Sequence, residues 1–181
     1  MPRTARCLQG RAFYLIKARG LETSVLFRDE EDFSCYMRLL KRFKRKGPVC
    51  LYGFCLLPDS IQMVIQSPSG KLISHFIQRT HQTYTTYYNN RYERQGKLWH
   101  DRFKSYLIRS FEDVVETIKI LELQPVIHRL SSSPVRYPWS SCIHRVIGAR
   151  NSIIDRLLNP DSKSCEPIIP PDIHTICMGN L

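Results

Sequence analysis

The chain has 181 residues, enough for one domain that buries about 70% of its unfolded surface, and sets 27 Lys and Arg against 16 Asp and Glu for a net charge of +11. A hydrophobic share of 43%, with nine Tyr, eight Phe and two Trp, excludes a disordered basic tail. No run of 18 apolar residues exists, which excludes a helical membrane span, and no apolar stretch follows the basic start at Met1-Pro2-Arg3, so secretion is not expected.

In chain order, Ala12 to Ile16 is a short apolar run that predicts a strand, ended by Gly20. From Asp29 to Lys46 the apolar residues Phe33, Tyr36, Met37, Leu40 and Phe43 recur at helical spacing. Acids at the start of that segment and Lys/Arg at its end suit the helix dipole, and Gly47-Pro48 stops it. Val49 to Leu57 and Ile61 to Ile65 predict a hairpin turning at Pro58-Asp59-Ser60. A second helix is expected from Lys71 to Arg91, a loop at Gln95-Gly96 and a strand from Phe103 to Ile108. A third helix runs from Glu112 to Leu123, with Pro125 as its terminator.

The order β-α-β-β-α-β-α predicts an α+β domain: a ferredoxin-like, split βαβ antiparallel sheet with its helices on one face. That domain covers residues 1–130; residues 131–159 read as a packed C-terminal extension, and the Pro-rich residues 160–181 as a flexible tail. The seven cysteines form no C-x-x-C pair, which points to free thiols in a reducing cytoplasm rather than zinc or disulfides.

The positive charge is clustered. Arg3, Arg6, Arg11, Lys17 and Arg19 fall in the first twenty residues, and Arg38 to Lys46 hold six cations. Arg91, Arg94, Lys97, Arg102 and Lys104 surround Tyr92, Trp99 and Phe103. Cations interleaved with rings suit a polyanion that carries bases, because Arg and Lys meet phosphates while aromatic faces stack. No basic amphipathic helix of the membrane-surface type is present.

Six motifs occur in a fixed order: Arg3-x-x-Arg6, Leu56-Leu57-Pro58, Tyr84-x-x-Tyr87-Tyr88-Asn89, Gly96-Lys97-Leu98-Trp99, Arg102-Phe103-Lys104-Ser105 and Tyr137-Pro138-Trp139-Ser140-Ser141. In this the sequence resembles the REP-associated tyrosine transposases of the single-tyrosine HUH superfamily, over residues 1–145 or so. The resemblance implies a ferredoxin-like sheet that binds single-stranded DNA, often at a hairpin foot. It also implies two strand histidines that hold a divalent metal, and a helix tyrosine that forms a 5′-phosphotyrosine link. The sequence departs from that pattern at the chemistry. Ser60 and Gln62 stand where the family carries its two histidines, and Ile120 stands where it carries the nucleophile. Gln124, four residues on, offers one amide oxygen, and Ser, Gln and one amide are poor ligands for a divalent ion.

Other constellations do not replace the lost one. Tyr84, Tyr87 and Tyr88 at helical spacing read as core or stacking residues rather than a relocated nucleophile. His75 and His81 fall on different helix faces, and His100 in the basic loop reads as a phosphate contact or a solvated residue.

The expectation is therefore a DNA-binding protein derived from such a transposase, without catalysis, metal or other cofactor, that recognises single-stranded or hairpin DNA in a regulatory, nucleoid-associated role. Its nucleic-acid contacts are expected from Arg3, Arg6, Arg79, Tyr84, Tyr88, Arg91, Arg94, Lys97, Trp99, Arg102 and Lys104. The alternatives are an active transposase or endonuclease with a rearranged site, and an RNA-binding regulator.

Overall fold

A strand that is apolar on both faces needs cover on both faces. Strand β2 (Cys50–Leu57) is such a strand, buried without a break from Leu51 to Leu57. The computed structural model describes residues 8–21, 25–147, 153–155 and 157. Its elements are β1 (Phe13–Arg19), α1 (Glu30–Lys44), β2, β3 (Ser60–Gln66), α2 (Gly70–Arg91), β4 (Lys104–Ile108), α3 (Phe111–Ile127), a short 3-10 turn at Pro134–Arg136, and α4 (Ser141–Ile147). The four strands form one sheet in the order β2-β3-β1-β4, antiparallel throughout. This is the expected α+β, split βαβ arrangement.

Helix placement differs from expectation. Helices α1 and α2 pack on one face, where Ile16, Leu51, Phe54, Leu56, Ile61, Met63 and Ile65 meet Tyr36, Leu40, Ile73 and Ile77. Helix α3 takes the opposite face, with Val114, Ile118 and Leu121 against Tyr52, Cys55, Leu57 and Val64. The apolar continuity of β2 is the cause, since a single helical layer would leave half of it in water. Gly53 permits the approach of α3: a Cβ there would lie 3.2 Å from the Ile118 side chain.

Two boundaries also moved. β1 continues to Arg19 because Lys17 and Arg19 alternate with buried Ala18, a period-2 pattern hidden by the loss of a continuous apolar run. Pro125 does not end α3 but lies inside its last turn, where it removes one i→i−4 hydrogen bond and the helix stops two residues later at Ile127.

Helix starts follow the sequence signals: Asp29, Ser69 and Ser110 each accept a backbone N–H of the first turn of α1, α2 and α3. The Tyr137-to-Ser141 motif is a clasp on the β2 edge. The Tyr137 hydroxyl donates to the Leu56 carbonyl, Trp139 stacks on Phe33 with centroids 4.9 Å apart, and Ser140 pairs with Cys55. Behind it, buried Glu122 on α3 accepts from Ser141 Oγ and from Arg145 Nη2 at 3.0 Å, tying α4 to α3. Of the expected extension, residues 134–147 are thus packed on the domain; the expected tail lies outside the described residues.

Candidate nucleic-acid interface

The alternation of β1 sends Lys17 and Arg19 to the α3 side of the sheet, and the register fixes their neighbours. Lys17 lies between Gln62 of β3 and Lys104 of β4, and Arg19 lies beside Ser60. Tyr106, two residues along β4, is half exposed, and the Lys17 ammonium stands 6.0 Å from its ring centroid. Helix α3 packs mainly over β2, so the β1–β4 part of this face stays open: Lys17, Arg19, Lys104 and Tyr106 are all exposed. Neither Lys17 nor Lys104 has a carboxylate partner among the described residues. Like charges on directly opposed residues oppose sheet formation, and an anion laid over the row relieves that repulsion.

Several expected contact residues have other duties. Tyr84 and Tyr88 are 0% exposed and so offer no ring for stacking. The Tyr84 hydroxyl donates to the Leu26 carbonyl and the Tyr88 hydroxyl to the Val25 carbonyl, pinning the segment before α1 to α2. Helical spacing alone could not separate a core stripe from a stacking stripe. Arg91 is spent on protein: its guanidinium donates to Asp29 at 2.6 Å and to Asp32 at 2.7 Å. Asp32 is fully buried and also accepts from the Tyr87 and Tyr92 hydroxyls and the Arg28 backbone N–H. Hydrogen bonding to Arg91 holds the Asp29 carboxyl below its ordinary range, while burial pushes the Tyr87 phenol up to about 12. Tyr84, Tyr87 and Tyr88 thus all donate their hydroxyls to protein acceptors. Arg94 is partly buried with its guanidinium 5.5 Å from the Tyr88 ring, and exposed Arg79 stands over Phe43 at 4.9 Å. Arg3 and Arg6 lie outside the described residues.

The remaining residues come together around the segment that leads into β4. Leu98 and His100 extend the β1 pairing, accepting from Leu21 N–H at 3.0 Å and donating to the Arg19 carbonyl at 3.1 Å. Gly96, in the left-handed region at φ +90°, turns this segment back along α2, and its carbonyl accepts from Asn89. A cleft of about 800 Å³ results between α2 and residues 96–103, with Lys97, Trp99 and Arg102 in its lining. Trp99 is half-buried rather than a free platform. Its ring lies flat on His81 at 3.8 Å, and its indole N–H donates to Thr85 Oγ1. Lys97, Arg102 and Lys104 are exposed. Thus Lys97 and Arg102 serve the cleft, while Lys104 serves the sheet face with Lys17. Lys17, Arg19 and Tyr106 escaped the list of expected contacts, although the Lys-x-Arg and Lys-x-Tyr alternations were the signal for them.

The positions where the resemblance implies catalysis hold no ligand set. The Ser60 hydroxyl donates to Asp59, and the Gln124 amide donates back to the Ile120 carbonyl at 3.1 Å. Ile120 is 50% exposed and carries no heteroatom. Among the described residues no group of three His, Cys, Asp or Glu could hold a metal ion. Ser60, Gln62 and Ile120 bring neither imidazole nor carboxylate to these positions.

A four-stranded antiparallel sheet ordered β2-β3-β1-β4, with two helices on one face and a third on the other, defines a ferredoxin-like α+β protein with one open basic sheet face. Among solved structures, the chain is similar to a REP-associated tyrosine transposase bound to a REP hairpin. The TM-score is 0.70 and the identity 16%, over 93% of this chain and 99% of that one. The chain therefore shares the fold of that transposase. No family sequence model and no curated protein matches it. No helix among the described residues is long and apolar enough to cross a membrane.

Proposed function

We propose that this protein binds DNA through its open sheet face and the adjoining 96–104 segment, recognises a hairpin or single strand, and does not cut it. The observation that carries this reading is the Lys17–Lys104 pair, two cations on opposed residues beside Gln62 with no carboxylate partner among the described residues. A fold shared with a protein bound to a REP hairpin supports the same partner. The absence of chemistry rests on residue types, since Ser60, Gln62 and Ile120 supply neither imidazole ligand nor phenol. A protein that occupies hairpins without cleaving them acts as a regulator at the nucleoid.

The test incubates the chain with labelled hairpin and single-stranded DNA, with Mg²⁺ or Mn²⁺, and reads binding and cleavage together. Salt-sensitive binding with neither strand cleavage nor covalent adduct is the expected result. Cleavage that a chelator abolishes would overturn the inactive reading, and a matched RNA hairpin that outcompetes DNA would overturn the choice of partner.

A further inference from the structure

The cation cluster on α1 takes no part in the sheet face. Helices α1 and α2 cover the other side of the sheet, so a helix diameter of about 10–12 Å and the sheet itself separate their outer surface from Lys17 and Lys104. On that surface Lys41, Arg42 and Arg45 form one exposed stripe along the last turn of α1 and its cap, and exposed Lys46 follows. Lys41 and Arg45 lie about 6 Å apart along the axis. Helix α2 adds exposed Arg79: its guanidinium and that of Arg42 approach the same Phe43 ring, 4.9 and 5.6 Å from the centroid. Packing of α2 on α1 thus joins their cations into one patch. None of these five has a carboxylate partner among the described residues, where Arg38 pairs with Glu31 and Lys44 with Asp155. The sequence leaves little to pair them with: from Phe33 to Tyr92 it has nine Lys and Arg and a single acid, Asp59, in the hairpin turn. Neither helix exposes a large apolar side chain. That removes the inserting face a membrane-bound helix needs and the buried anchors a protein partner uses. A line of phosphates asks only for cations.

We infer that this helix face holds the phosphate backbone of a second, duplex DNA segment without reading its sequence, while the sheet face holds the hairpin or single strand. The two surfaces lie on opposite sides of the sheet, so one chain bridges two DNA segments. This second site rests on DNA being the partner, as proposed above, and uses cations that the sheet-face reading leaves idle. Repulsion among clustered like charges opposes the compact state, and a polyanion laid across them relieves it.

The experiment loads the full chain on a bead-bound DNA hairpin and offers a labelled, blunt-ended duplex of unrelated sequence. Wild type is expected to capture the duplex. Arg42→Gln/Arg45→Gln/Arg79→Gln removes three charges while keeping most of the side-chain stems over Phe43, and Lys41→Glu/Arg45→Glu alters exposed positions only. Both variants are expected to stay on the hairpin and to capture about tenfold less duplex. On free duplex each phosphate contact contributes about 0.9 to the slope of log K against log salt, so the triple variant is expected to lose about 2.7 of it. Between about 50 and about 200 mM salt the wild type then loses about fortyfold more affinity for duplex than the variant. Duplex capture unchanged in both variants overturns the helix-face site and leaves the sheet-face reading standing. So does capture of vesicles containing anionic lipid by a wild type that captures no duplex. Loss of the hairpin from both variants, with urea midpoints kept, overturns the division between two faces. A wild type that binds neither hairpin nor duplex overturns this site and the DNA-binding reading together.

Discussion

The open sheet face makes a quantitative demand on salt dependence. Lys17 and Lys104 are opposed across β1 and β4, and Arg19 follows two residues on, about 6.7 Å along the strand. Each phosphate contact on a single strand contributes about 0.7 to the slope of log K against log salt, so the three together account for about 2. Lys17→Ala/Lys104→Ala removes about 1.4 of that slope. Between about 50 and about 200 mM salt the wild type then loses affinity about sevenfold more than the variant. Both side chains are exposed and have no carboxylate partner among the described residues, so the urea midpoint is expected to hold or rise. Arg91→Ala is the contrasting variant. Its guanidinium is committed to Asp29 and Asp32, so the midpoint is expected to fall while the slope stays. Fluorescence anisotropy across a salt series, with urea melts of the same preparations, reads both quantities. An unchanged slope in the double lysine variant, or a reduced slope in Arg91→Ala, would refute the placement of the interface.

Other expectations follow from buried groups. Glu122→Ala strands the Arg145 guanidinium, which is 11% exposed, and is expected to cost about 3–5 kcal/mol in a denaturant melt; a loss under about 1 kcal/mol would show that α4 is not held this way. His81 has its folded pKa near 3, below the ordinary histidine value of about 6.5, so the unfolded chain binds the extra proton first. Stability from this group is complete above about pH 6.5 and is lost as the pH falls towards 3, so His81→Phe should flatten the drop in urea midpoint between pH 7 and 4.5. An equal drop in wild type and variant would assign it elsewhere, Asp29 included, whose carboxyl is held low by Arg91. Ser60→His/Gln62→His is expected to yield no covalent DNA adduct in denaturing gels, because Ile120 brings no hydroxyl; an adduct would show that another tyrosine serves.

Local signals in the sequence determined the elements and their order. The helical spacing of Phe33, Tyr36, Leu40 and Phe43, the caps at Asp29, Ser69 and Ser110, and the hairpin turn at Pro58-Asp59 all act within a few residues. That Ser60, Gln62 and Ile120 carry neither imidazole nor phenol was equally legible, because it is a matter of residue type alone. Tertiary structure decided what each cation and ring does. Arg91 and Lys104 look alike in the basic cluster, yet one is consumed by buried Asp32 and the other stands beside Lys17 with no carboxylate partner among the described residues. Tyr84 and Tyr88 share the pattern of a stacking surface and are core. Their partners lie some sixty residues away in the chain, and the pairing that brings Lys17 to Lys104 reaches further still. Charge and aromaticity are properties of a residue, but availability depends on what the fold packs against it.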